Sequence, residues 1–384
     1  MTTGTDVKNF LRRKTPIDYS RGSPSLRIVD LFCGCGGMSL GLAEAARRLD
    51  LGTDILLAID TDEIAVGVYS RNFTRARVEC SDVREFFDGS LEARLTSRER
   101  RQRQSLGDID VLLGGPPCQG HSNLNNSTRR IDKRNGLYSR MARAARVLRP
   151  SIVLIENVPS VLNDHEQIVD VTAAELERTG YAVEHRCVDL CRIGIPQTRK
   201  RHFLLASQSL AVDPVAVFDI LVSKDLKRTV SWALGDLVET KTNTIFDSTT
   251  STSKENQRRI DWLFDNDEYD LPNQLRPRCH RDKDHTYKSV YGRMKWNQPA
   301  QTITTGFLSM GQGRYVHPIL RRTITPHEAA RLQTFPDFFS FGENTLRTYM
   351  ARLIGNAVPP LATLAVGEIL LPMLLEPVGT SSKV

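Results

Sequence analysis

The chain has 384 residues, 40% of them hydrophobic and 25% charged, with 52 Lys and Arg against 45 Asp and Glu and a net charge of +7. That length supports a large core in two domains, or in one domain with a sizeable insertion, and the basic excess suits a polyanionic partner without requiring one. No apolar run in "MTTGTDVKNFLRRKTPIDYSRGS" is long enough for a signal peptide, the tail "LATLAVGEILLPMLL" (361–375) is short and broken by Glu368 and Pro372, and an odd count of seven cysteines argues against a disulfide framework, so a cytoplasmic protein with no membrane segment is expected.

The first half alternates apolar runs with amphipathic segments. Residues 1–25 read as a flexible extension. "LRIVDLF" (26–32) predicts a buried strand, and "LGLAEAARRL" (40–49) the helix after it. "ILLAID" (55–60) and "DEIAVGVYSRNF" (62–73) repeat the pattern. "IDVLLGG" (109–115) and "SIVLIENV" (151–158) read as further strands, with a helix between them carrying Leu137, Met141, Ala144, Ala145 and Leu148 on one face. "RKRHFLLAS" (199–207) reads as the last strand of this half. Continuous apolar strands separated by helices predict a parallel sheet covered on both sides, a doubly wound α/β domain over 26–207.

From about 208 to 300 the periodicity weakens, and "ETKTNTIFDSTTSTSKENQRR" (239–259) is polar and rich in Ser and Thr. This stretch predicts a smaller inserted domain. A compact pattern resumes at "PAQTITT" and runs through helical "PHEAARLQTF" (326–335), so 301–384 is expected to return to the first domain. The arginine-rich "SRERRQRQ" (97–104) reads as a solvated helix face, with phosphate contact as the alternative.

In a doubly wound sheet, ligands sit at the carboxyl ends of the strands. The glycine turn at 34–37, Asp60, Asp82, "GGPPCQGHS" (114–122) and Glu156 all follow apolar runs, so they are expected along one edge. "DLFCGCGG" tempts a dinucleotide reading, but the third glycine of G-x-G-x-x-G falls on Ser39. Asp60 has the place of a ribose-binding carboxylate, and Asp82 supplies a further acceptor. A nucleoside cofactor without a phosphate fits better than NAD. Cys118, held on a Pro-Pro turn, reads either as a small buried residue or as a nucleophile. Glu156 is expected beside it, with Arg199 and Arg201 reaching the same rim. The cysteines, Cys187, Cys191 and the Cys279–His280 pair included, match no standard zinc spacing, so no metal is expected.

Six stretches, "DLFCGCGG", "GGPPCQG", "IENV", "QTRKR", "ITPHEAARLQTFP" and "GNAVPP", follow one another in the order and spacing of the DNA cytosine-5 methyltransferases, and the chain resembles that family over about 26–207 and 290–375. The resemblance implies a bacterial modification-type enzyme acting on double-stranded DNA, working as a monomer, with a cognate restriction endonuclease as partner. Its middle segment is then the target-recognition domain. It implies S-adenosylmethionine as cofactor and S-adenosylhomocysteine as product. Phe32 would lie against adenine, Asp60 on ribose and Asp82 on the adenine amino group. Asn356 would close the methionine end, and Asp30, Gly34, Gly36, Gly37 and Pro116 would complete the cradle.

By the same resemblance Cys118 adds to C6 of a flipped cytosine, Glu156 engages N3 and the 4-amino group, and Arg199 supports both the ring and Glu156. The segment 119–136 would be a closing loop, with Gln119, Ser122, Arg129, Arg130 and Arg134 as DNA contacts. Further contacts would come from Arg293, Lys295, Arg314, Arg321 and, at the gap left by the flipped base, Thr304. His121 stands where many relatives have phenylalanine. The Cys-Phe-Thr sequence of the tRNA-modifying branch is missing after the arginine motif, and a catalytically dead homologue would be expected to lack the cysteine or the glutamate.

Overall fold

The computed structural model describes residues 4–117, 136–239, 244–281, 290–343 and 345–375. Its strands are β1 (Ser25–Leu31), β2 (Gly52–Asp60), β3 (Val78–Cys80), β4 (Val111–Gly114), β5 (Ile152–Asn157), β6 (Ala182–Asp189), β7 (Gln197–Thr198), β8 (Lys200–Ser207) and β9 (Ala300–Gln301). The helices are α1 (Gly4–Leu11), α2 (Gly37–Arg47), α3 (Glu63–Asn72), α4 (Ser97–Leu106), α5 (Gly136–Leu148), α6 (Ile168–Arg178), α7 (Pro214–Ser223), α8 (Val230–Leu234), α9 (Lys254–Asp265), α10 (Arg278–Arg281), α11 (Pro326–Leu332), α12 (Arg347–Asn356) and α13 (Pro360–Leu375).

Seven strands form one sheet in the order β3-β2-β1-β4-β5-β8-β6, and β7 pairs with β9 in a separate two-stranded ribbon. The pairs among β3, β2, β1, β4 and β5 are parallel, as the buried apolar runs predict. β8 departs from that expectation and runs antiparallel to both β5 and β6. The cause is local: the connection from β6 to β8 is too short for a helical crossover, so the chain must fold back. β6 itself was not legible, because its residues are half-buried on an edge rather than apolar throughout.

The chain winds outward from β1 through β2 to β3, then crosses back to β4 on the other side of β1. This reversal places a crevice outside the carboxyl ends of β1 and β4. One apolar layer packs α2, α3, α11, α12 and α13 on one face of the sheet, and a second packs α5 and α6 on the other.

Packing is continuous across two of the expected boundaries. The N-terminal extension is packed rather than loose: Val7, Phe10 and Leu11 are buried, the Phe10 and Phe338 rings meet edge-on, and the Asp337 amide donates to the Leu11 carbonyl at 3.0 Å. Residue 208 does not mark a break in packing either, since Val217, Phe218, Leu221, Val230 and Leu234 belong to the large core. A separate small core forms later, from Ile260, Leu263 and Leu271 to Met310 and Val316.

The stretch Arg347–Leu375 is long and apolar enough to cross a membrane. It is nevertheless two helices, and α13 buries Leu361, Ala362, Leu364, Val366, Leu370 and Leu371 inside the protein.

Candidate active site

A cleft of about 560 Å³ opens at the switch point. The turn after β1 builds its floor. Phe32 (φ 57°) and Gly36 (φ 96°) both adopt left-handed backbone, and Gly36 caps α2. A β-carbon at Gly36 would sit 2.7 Å from the Phe73 ring, and one at Gly37 only 2.2 Å from the Val358 carbonyl oxygen. Gly37 therefore lets the backbone at Val358 close on the turn, and Gly36 lets the Phe73 ring do so.

Three acids expected at this edge are there, in different states. Asp30 is buried and accepts from the Ser39 hydroxyl at 2.6 Å, and burial pushes its carboxyl up to about 7. Ser39, the residue that broke the dinucleotide pattern, also contacts the Tyr69 hydroxyl at 2.7 Å. Asp60 accepts from the Gly34 amide and the Asp62 amide, each at 2.9 Å, so it fixes the glycine turn to the end of β2. Burial raises Asp60, against those hydrogen bonds. Asp82 is more open and pairs with Arg84 at 2.6 Å, which holds its carboxyl below the usual range.

On the other side of the crevice, β4 runs into Gly115, Pro116 and Pro117, all of which line the cleft. The Asn157 side-chain amide donates to the Pro116 carbonyl at 3.2 Å, locking the Pro-Pro turn to the end of β5. Cys118 follows directly and lies outside the described residues, as do Gln119, His121, Ser122, Arg129, Arg130 and Arg134.

Glu156 is buried and lines the cleft beside the turn. Burial pushes its carboxyl up, while Arg201 and then Arg199 oppose the rise. Its ion pair is with Arg201, at 2.8 Å. Arg201 thus makes the direct ion pair with Glu156, and Arg199 acts on the carboxylate through its charge. Arg199 is also buried, but it donates to the carbonyls of Ile303 (3.0 Å) and Ala357 (3.3 Å), tying the β9 segment and the α12–α13 turn to the rim.

The remaining expectations divide. Asn356, exposed at the end of α12, and Thr304 line the cleft, and the Thr304 hydroxyl meets the Tyr315 hydroxyl at 2.9 Å. Arg293 is turned onto the protein itself. Its side chain is 12% exposed, lies 4.0 Å over the Phe264 ring and donates twice to the Pro318 carbonyl. Arg314 is likewise 16% exposed and pairs with Asp270 at 2.5 Å. Arg321 is more open but engages Asp265 at 2.7 Å. In α4, the helix of 97–104, Glu99 turns inward to pair with Arg143 at 2.5 Å, both side chains fully buried, while Arg98, Arg100, Arg101 and Arg103 face solvent. Among the described residues, no three His, Cys, Asp or Glu side chains converge to hold a metal ion.

Asp62 and Arg352 also line the cleft, and neither was legible as a site residue. Asp62 caps α3, and the "TDEIA" string carries that signal. Its partner Arg352 carries none, because the two meet only in the folded chain.

A carboxylate-lined crevice at the switch point of a doubly wound sheet suits a nucleoside-type cofactor, and the fold is that of the Rossmann-like methyltransferases. The chain belongs to the C-5 cytosine-specific DNA methylase family, whose model matches residues 26–371. It is similar to Type II methyltransferase M1.BsuMI of Bacillus subtilis (strain 168), with 45% identity over 352 residues covering 92% of this chain and 82% of that protein. Type II methylase M.HgiDII of Herpetosiphon aurantiacus is 32% identical, covering 86% and 91%. Among solved structures, a prophage-encoded DNA modification methyltransferase from E. coli matches with a TM-score of 0.62 and 25% identity, covering 91% of this chain and 100% of that one. The Entamoeba histolytica methyltransferase EhMeth gives the same TM-score at 16% identity, a likeness of fold alone.

Proposed function

We propose that the protein is a Type II modification enzyme that methylates C5 of a flipped cytosine within a specific sequence of double-stranded DNA, through a covalent bond between Cys118 and C6. The observation that carries the reading is the buried Glu156–Arg201 pair beside the Pro-Pro turn, in the same cleft as Asp30, Asp60 and Asp82. The acids suit a cationic nucleoside without phosphates, so the residues fit S-adenosylmethionine. When bound, that cofactor supplies an electrophilic methyl group on a sulfonium. Asp60 would hold the ribose, Asp82 the adenine amino group once released from Arg84, Phe32 the adenine face, and Asn356 the methionine end.

Cytosine C5 is a poor nucleophile. Addition of the Cys118 thiolate at C6 would move the C5–C6 electron pair onto C5 and make that carbon nucleophilic toward a bound cofactor's methyl group, whose bond to sulfur would break with the electron pair left on sulfur. Glu156, whose carboxyl burial pushes up and Arg201 orients, would in its protonated form donate to N3 and accept from the 4-amino group, which stabilises the charge that addition pushes onto the ring. Loss of the C5 proton to a base then restores the double bond and expels the thiolate. The base must leave the duplex to reach this cleft. The module around the small core, α9 to Val316, is the segment that reads the target sequence. A cognate endonuclease and a cytoplasmic location go with the Type II reading, and we take the enzyme to act on DNA as a monomer.

The experiment is methyl transfer from labelled S-adenosylmethionine to duplex DNA, with tRNA as the control. Bisulfite sequencing of host DNA then locates the target. Cys118→Ser should lose nearly all turnover yet bind cofactor, and DNA containing 5-fluorocytosine should form a covalent adduct. Retained turnover, or an adduct mapped to another residue, refutes the covalent route.

A further inference from the structure

We propose that Asp62 and Arg352 form a clasp across the cofactor cleft, and that its opening sets how fast cofactor and product exchange. The proposal rests on the reading of this cleft as an S-adenosylmethionine site. Both residues line it, together with Asp60 and Thr61 on one side and Gly355 and Asn356 on the other. The Arg352 guanidinium reaches the Asp62 carboxylate at 2.7 Å. The pair therefore ties the end of β2, where the ribose carboxylate sits, to α12, which carries the residue at the methionine end.

The two ends of the clasp are held differently. Asp62 is fixed, because its other oxygen caps α3 by accepting from the amides of Ile64 (3.1 Å) and Ala65 (3.4 Å). Among the described residues, Arg352 has Asp62 as its ion-pair partner, and its Nε–H is shielded from water with no acceptor. Its guanidinium also lies 5.3 Å from the centre of the Tyr349 ring, one turn away on α12, which gives it a resting place when it lets go. Exposure decides between strut and gate. The Glu99–Arg143 pair is wholly buried and braces the fold, whereas Arg352 and Asp62 are 44% and 30% exposed. A pair that open to water adds little to stability, so it can break and re-form while the protein stays folded.

The test measures dissociation of S-adenosylmethionine and S-adenosylhomocysteine from the full-length protein by stopped-flow displacement. Asp62→Asn keeps the helix cap, since asparagine caps as well as aspartate, and removes the charge. Arg352→Gln removes the other. Each variant should release both ligands about three- to fivefold faster, and the double variant no faster than either alone. The difference from wild type should shrink in about 1 M salt, where the pair is screened. KM for the cofactor should rise with the release rate, without a fall in kcat. Wild-type release rates in both single variants, or effects that simply multiply in the double variant, overturn the clasp alone. Failure of the wild-type protein to bind either ligand overturns the reading of the cleft, and the clasp with it.

Discussion

Arg201, not Arg199, holds the Glu156 carboxylate, at 2.8 Å, although the two arginines stand two residues apart on one rim. Arg199 donates to backbone carbonyls from two other segments. Both arginines therefore favour the charged acid, one by direct pairing and the other by its nearby charge, and Arg199 also assembles the wall around it.

Glu156→Gln is expected to lower kcat by about 10²- to 10⁴-fold while leaving cofactor affinity near wild type, measured by single-turnover kinetics and calorimetry. Arg201→Gln should add a pH dependence to stability. Burial already raises Glu156, and loss of Arg201 raises it further. The folded state then binds more protons than the unfolded one above the ordinary glutamate range, so stability falls as pH rises. Urea midpoints should show the Arg201→Gln deficit growing from pH 5 to pH 8. A deficit that shrinks over that range would contradict the assignment.

Gly41→Ala should destabilise the protein by about 1–3 kcal/mol, because the new methyl would meet the Pro360 carbonyl oxygen at 2.0 Å and force α13 off α2. Gly67→Ala on α3 is the control. Nothing lies within 4 Å of its β-carbon position, so it should be neutral or stabilising by up to about 1 kcal/mol. Thermal denaturation of the two variants makes the comparison.

Asp337 should make the fold acid-sensitive. Burial alone would push its carboxyl up, but hydrogen bonds from His327 and Arg331, and the charge of both, hold it at about 2 instead of 3.8. A lowered value stabilises the folded state above the unfolded pKa, and the gain is lost as pH falls from about 4 to about 2. Asp337→Asn should therefore cost about 2 kcal/mol at pH 7, and less as the solution is acidified through that window. Chemical denaturation across the range checks the sign.

Arg293→Gln separates a structural arginine from a DNA contact. With its guanidinium stacked on Phe264 and bonded to Pro318, the substitution should lower stability by about 1–3 kcal/mol. The slope of log affinity against log salt should not change, whereas loss of a phosphate contact would reduce it by about 1. Fluorescence anisotropy with duplex DNA at several salt concentrations reads the slope.

Much of this protein was legible in the chain itself. Apolar runs such as "IVDLF" and "VLLGG" determine strands, because burial on both faces demands continuous hydrophobicity, and their ends located the glycine turn, Asp60, Asp82, the Pro-Pro turn and Glu156. The ordered motifs identified the family. Side chains whose partners lie far along the chain were not legible. No local pattern distinguishes Arg201 from Arg199, or shows Arg293 folded onto an aromatic ring, or brings Arg352 to Asp62. Nor does composition reveal that β8 turns back between β5 and β6, or that α1 is packed. Sequence carries hydrophobic period and turn chemistry, which are local. The choice of charge partner depends on which surfaces remain close once the core has formed, and only the tertiary structure decides that.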